Sequence, residues 1–170
     1  MKNTSSALLV FAVTLSIAMS LLNCATSQKP LAEVPEGVPL PKDINIVAPP
    51  ADLPKEIAAF SGKWTGKWDG VQKAVLIVEE INEKEAKIVL AQEHYSAARE
   101  TVDAGYFRIM AKVSSSPTPS IEFKIIRSDH PVVTFEMQKD LNTIKGFWVY
   151  ISDQLEDHLP VMRITMKRAN

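Results

Sequence analysis

The chain has 170 residues, 19 basic and 20 acidic side chains, a formal net charge of −1 and a single cysteine. That balance gives no basic surface for nucleic acid and no general attraction to acidic partners. One cysteine excludes a disulfide within the chain, so an exported domain of this length has to stand on its core.

Residues 1–23 read as a processing signal rather than as structure. Lys2 is the only charge ahead of an apolar run from Ala7 to Met19. About a dozen apolar residues are too few for a permanent membrane helix, which needs about 20. The run ends in Leu21-Leu22-Asn23-Cys24. This resembles the lipobox of bacterial lipoproteins, with Leu21 three positions before the cysteine and Asn23 where the family usually carries Gly, Ala or Ser. The resemblance implies acylation of Cys24, cleavage before it and a membrane-bound mature protein. Ala25, in place of an aspartate, directs the expectation to the outer membrane, facing the periplasm. The alternative is a plain secretory peptide with an incidental cysteine.

Residues 24–51 carry Pro30, Pro35, Pro39, Pro41, Pro49 and Pro50. Such a stretch favours extended conformations and is expected to be a disordered tether. Within it, Asp43 to Val47 is a candidate edge strand. From residue 52 to 170 the pattern is that of one domain. Asp52 to Phe60 predicts one or two helical turns, capped by Asp52 or a neighbour, with Leu53, Ile57 and Phe60 on one face.

Phe60 to Gly70 alternates, placing Phe60, Gly62, Trp64, Gly66 and Trp68 on one side and Ser61, Lys63, Thr65 and Lys67 on the other. Period two marks a half-buried strand. Glycine on its apolar face marks a bend or a close backbone approach. Lys63 and Lys67 are expected to be solvated. Seven more strand-like runs follow: Ala74 to Ile81, Ala86 to Gln92, Tyr106 to Val113, Ile121 to Ile125, Val133 to Met137, Thr143 to Ile151 and Val161 to Arg168. Short turns join most of them. The pattern predicts an all-β, antiparallel eight-stranded meander, either a closed barrel or a sandwich.

A short helix leading into Gly62-Lys63-Trp64, and the longer Gly-x-Trp-x-Gly-x-Trp over 62–68, resembles the start of a lipocalin-like domain of uncharacterised bacterial proteins. The resemblance extends from Leu53 to Arg168. It implies a barrel with the helix plugging one end, the tryptophan on the barrel floor and an arginine from the last strand over it. Arg163 and Arg168 both remain candidates for that arginine.

An eight-stranded barrel is just wide enough to be filled by side chains or to hold one small ligand. The candidate pocket residues are Trp64, Trp68, Phe107, Phe123, Phe135, Trp148 and Tyr150, with Met137, Met162 and Met166 beside them. A filled core and a pocket are both open readings. Glu93, His94 and Tyr95, with Glu100 and Asp103, are the densest polar group, at one mouth beside the longest loop, Ser96 to Gly105. A histidine titrates near neutrality, which makes His94 a candidate base. No His-x-x-x-His or Cys-x-x-Cys spacing suggests a metal site. His130 and His158 fall in turns. No nucleophile elbow, P-loop or dinucleotide motif is present, and neither catalytic residues nor a cofactor are predicted.

These features point to a lipid-anchored envelope protein that binds a small apolar or amphipathic ligand without catalysis. A filled barrel that docks an envelope protein partner is the alternative. An enzyme built on His94 and Glu93 is the third reading.

Overall fold

The computed structural model describes residues 34–97, 100–126, 131–149 and 161–169. Among the described residues, one short helix, α1 (Lys55–Ala58), precedes ten strands: β1 (Gly62–Trp68), β2 (Gln72–Ile81), β3 (Glu85–Gln92), β4 (Tyr95–Ala97), β5 (Glu100–Val102), β6 (Gly105–Ser114), β7 (Ser120–Lys124), β8 (Val132–Met137), β9 (Thr143–Val149) and β10 (Val161–Arg168). Eight of them close an antiparallel barrel in the order β1-β10-β9-β8-β7-β6-β3-β2. The barrel is therefore the outcome, not the sandwich. The segment expected to be the longest loop folds instead into a hairpin, β4 against β5.

Alternation decides what goes inside. Trp64, Trp68, Ala74, Leu76, Val78, Ile88, Leu90, Ile121, Phe135, Ile144 and Met166 all join one buried core. The β2–β3 register shifts between Val78 and Glu80. This bulge reverses the parity of the strand, so Ile81 is turned into the core as well. Gly66 sits where a Cβ would lie 2.6 Å from the Thr165 carbonyl oxygen. Only glycine lets β10 approach that closely and complete the cylinder.

One end of the barrel is closed. Ile57 and Phe60, on and just after α1, are buried in the core. The Trp64 indole Nε1 donates to the Phe60 carbonyl at 2.8 Å. Arg168 lies over the Trp64 ring, 4.3 Å from its centroid. Its guanidinium donates to the carbonyls of Ser61 (2.8 Å) and Ala59. Arg168, not Arg163, is thus the arginine of the barrel floor. Burial lowers its pKa from the ordinary arginine value. The helix N-cap is Pro54 and no side chain caps it, so the expected Asp52 cap is not made. The Ile57 and Ala58 amides bond the Pro54 carbonyl instead.

The second correction concerns the proline-rich stretch. Residues 34–51 do not stand off the domain as a tether. They run as a strap over the outer face of β2 and β3. Val38 is buried there among Val75, Ile77, Val89 and Ala91, with Val34, Leu40 and Ile44 packed at its edges. No strand forms at Asp43 to Val47, yet the Val47 amide donates to the Glu79 carbonyl at 2.8 Å. Lys63, expected in solvent, is 5 % exposed, and burial lowers its pKa.

Two polar latches hold the strap. At its start, Lys73 bonds the Glu36 carbonyl and pairs with Glu93 at 3.0 Å. Further on, Arg108 bridges Asp43 (2.9 Å) and the buried Glu79 (3.1 Å). Burying a side chain such as Val38 contributes about 1.5–3 kcal/mol. The pair of Arg108 with the exposed Asp43 contributes much less. The apolar patch holds the strap, and the latches set its direction.

Two outcomes are expected. Arg168→Ala should lower stability by roughly 3–6 kcal/mol, since it removes two hydrogen bonds to a charged group, each carrying about 1.5–3 kcal/mol. The change is read as a fall in the urea midpoint at constant slope. The second concerns acid. The Glu93 carboxyl is held below the ordinary 4.5 by the Lys73 backbone amide, and Asp43 below 3.8 by Arg108. Their contribution is complete above about pH 4.5 and is lost as pH falls through the lowered values. Hydrogen-exchange protection of the Val47 amide should therefore be constant above that pH and decline below it.

Candidate functional site

The residues expected to line a pocket mostly fill the barrel. Trp68 on β1, Trp148 on β9, Phe135 on β8 and Phe123 on β7 stack in one column. Trp68 meets Trp148 edge-on at 5.7 Å and 88°, and Phe135 at 6.1 Å. Phe135 meets Phe123 at 6.2 Å. These four rings are all less than 5 % exposed. Phe135 also covers Gly146, where a Cβ would lie 2.6 Å from its ring. Trp64 belongs to the floor, under Arg168, and is fully buried. Five of the candidates are thus core, because β-strand parity sends them all to an interior that one column of rings fills. Tyr150 lies outside the described residues, as do Cys24, His130 and His158. The Trp68 Nε1 is buried and has no acceptor among the described residues.

Phe107 behaves differently. It points inward by parity but is only half-buried, as is Ile109. The cause is the pairing of β6 with β7. Their register covers only Lys112 with Glu122, Val113 with Ile121 and Ser114 with Ser120. Beyond this the strands separate, and the wall opens towards the end of the barrel opposite α1. The resulting slot has a volume of about 340 Å³ and is lined by Phe107, Arg108, Ile109, Lys124, Ile125 and Ile126. Its floor is apolar and its two rims carry Arg108 and Lys124. Arg108 is already bridged to Asp43 and Glu79.

The mouth residues do not converge. Glu93 turns to the outer face and is engaged by the Lys73 amide at 2.7 Å and by the Lys73 ammonium. His94 is exposed, with Nδ1 3.7 Å from an Asp103 carboxyl oxygen. Tyr95 opens the β4–β5 hairpin, opposite Val102. Among the described residues, no three His, Cys, Asp or Glu side chains gather as a metal-binding group.

The slot residues Ile109, Lys124, Ile125 and Ile126 were not singled out by sequence reasoning. A signal existed: Ile125-Ile126 breaks the alternation of β7, and Ile126 ends up 93 % exposed. Strand separation itself left no mark that a periodicity could carry.

No protein-family model matches the chain, and neither a curated protein nor a solved structure is significantly similar to it.

The contrast between column and slot is measurable. Phe135→Ala should cost about 3–5 kcal/mol, the range for a fully buried aromatic. Phe107→Ala, on a wall already open, should cost less than half of that. Urea unfolding followed by far-ultraviolet circular dichroism compares the two.

Proposed function

We propose that this protein is a lipid-anchored component of the cell envelope, held in the outer membrane by acylated Cys24 and facing the periplasm, whose barrel holds a single-chain amphiphile with an anionic head, without catalysing a reaction. The observation that carries this reading is the slot between β6 and β7. Its volume of about 340 Å³ is at the small end of ligand pockets, about 300–1,000 Å³. Among the described residues, the aromatic column takes up the core beside the slot, which favours a slender ligand. A single acyl chain fits between Phe107, Ile109 and Ile125, and Lys124 at the rim suits a carboxylate. The anchor rests on the lipobox-like sequence ending at Cys24. The absence of catalysis rests on Glu93 being committed to Lys73 and on His94 lying in solvent beside Asp103.

The packed column also favours a second reading, in which the barrel is a rigid scaffold that docks an envelope protein partner. Dodecanoate separates the two. On the first reading, titration with dodecanoate gives saturable one-to-one binding by calorimetry. Ile109→Glu weakens it at least tenfold. Lys124→Ala weakens dodecanoate but leaves dodecanol unchanged. No binding, or binding that neither substitution alters, removes the slot as a ligand site and leaves the scaffold reading.

A further inference from the structure

The plugged end of the barrel carries a recess of its own. Three segments meet around it: α1, the loop between β6 and β7, and the turn between β8 and β9. All three lie within the described residues. The recess has a volume of about 320 Å³. Pro117 and Pro119 line it from the loop, Met137 and Leu141 from the end of β8 and the turn, and Lys55 and Lys139 bring charge to it. It shares no residue with the slot between β6 and β7. Its volume is at the small end of ligand pockets, about 300–1,000 Å³.

The turn breaks a rule of local chemistry at Leu141. The Leu141 amide donates to the Gln138 carbonyl at 3.0 Å, and the Gln138 amide to the Thr143 carbonyl at 2.9 Å. This is a tight hairpin turn followed by one residue in the left-handed region, with φ 54° at Leu141. Such a position usually carries glycine, because a side chain there is crowded. Asparagine also tolerates it, and Asn142 is next in the chain, yet leucine stands at 141. The conformation is held from outside. The Asp140 carboxylate accepts from the Thr143 hydroxyl at 2.6 Å and from the Asn142 amide at 3.1 Å. A bulky residue at positive φ is an outlier, and residues held in this way gather at ligand clamps. What leucine adds over glycine is an apolar side chain, packed at the edge of the core and lining the recess.

The charges around the recess are unequal. Lys139 is exposed and has no hydrogen-bond or ion-pair partner among the described residues. Lys55 lies 4.0 Å from Glu56, with both side chains reaching solvent. Such a pair contributes little. Among the described residues, Glu56 is the one carboxylate in the lining, and the nearby Asp140 is engaged by Thr143 and Asn142. Two ammonium groups against one carboxylate favour a ligand with a negative charge. A methionine, a leucine and two prolines favour a flat apolar body, since a thioether packs well against a ring.

We infer that the recess at the plugged end binds a small aromatic carboxylate, with its ring against Leu141, Met137 and the two prolines and its charge at Lys139. The strained turn holds Leu141 in place for that ring. This site is separate from the slot and stands whether or not the slot holds an amphiphile.

The test titrates the full chain with 2-naphthoate and with its neutral counterpart 2-naphthamide, by calorimetry. The inference expects saturable one-to-one binding of 2-naphthoate. Lys139→Ala weakens it about two- to fivefold, the span of an exposed ion pair, and leaves 2-naphthamide unchanged. Leu141→Gly weakens both ligands about tenfold, through the lost apolar contact. Its urea midpoint changes little, because glycine suits φ 54° and relief of strain offsets lost packing. Ile109→Glu, in the slot, alters neither affinity. Lys139 is exposed, so its variant reads the site even where Leu141→Gly loosens the floor. No saturable binding overturns the inference, as does binding that neither Lys139→Ala nor Leu141→Gly alters. Binding lost in Ile109→Glu alone assigns the ligand to the slot and overturns it too. A Leu141→Gly protein that binds as before with a lower urea midpoint shows that Leu141 only seals the floor, and removes it from the site.

Discussion

The closed floor of the barrel is the contact on which the remainder depends. A meander of eight strands becomes a cylinder only if the last strand finds the first. Arg168, at the end of β10, reaches across β1 to the carbonyls of Ala59 and Ser61 and covers Trp64. Trp64 in turn bonds the Phe60 carbonyl. One cation therefore joins the last strand, the first strand and the helix that plugs the end. A guanidinium is suited to this because it offers several donors in a plane and stacks on an indole. The carbonyls after a four-residue helix need partners, and Arg168 supplies them.

Closure creates a second requirement. β2 is apolar on both faces: Ala74, Leu76 and Val78 enter the core, while Val75 and Ile77 point outwards. An outward apolar patch on a barrel wall needs cover. The strap provides it with Val38, and the chain returns across the wall before the plug forms. Prolines suit this role, since a strap that lies flat on a sheet without pairing to it needs few amide donors. The bulge at Val78–Glu80 belongs to the same arrangement, because Glu79 comes to lie under the strap and meets Arg108 and the Asn45 amide.

The third consequence is where space remains. Four aromatic rings pack together in the core, and among the described residues an opening lies in the wall beside them. β7 is five residues long and pairs with β6 at three positions. The gap leaves Phe107 and Ile109 partly uncovered, beneath Lys124. The slot in this barrel comes from a failure of pairing between β6 and β7.

Much of the fold was legible in the sequence because alternation is a local property. Eight runs of period two, interrupted by turn residues, specify eight strands, and the glycine at position 66 announced a close backbone approach. The apolar residues were correctly sent inwards, but parity says only which face a side chain takes. It does not say whether the inside is full, and five expected pocket residues became core for that reason. Parity would also have chosen the arginine, since Arg168 shares a face with Ile164 and Met166, whereas Arg163 does not. The strap was not readable from composition, because proline content describes how a segment behaves alone and not what it finds to lie on. The separation of β6 from β7 depends on how two strands far apart from their closing partners share a curved wall. Local pattern determined the strands and their faces; the barrel decided which arginine closes the floor, what covers the outer wall and where the wall stays open, because each of these is a contact between distant parts of the chain.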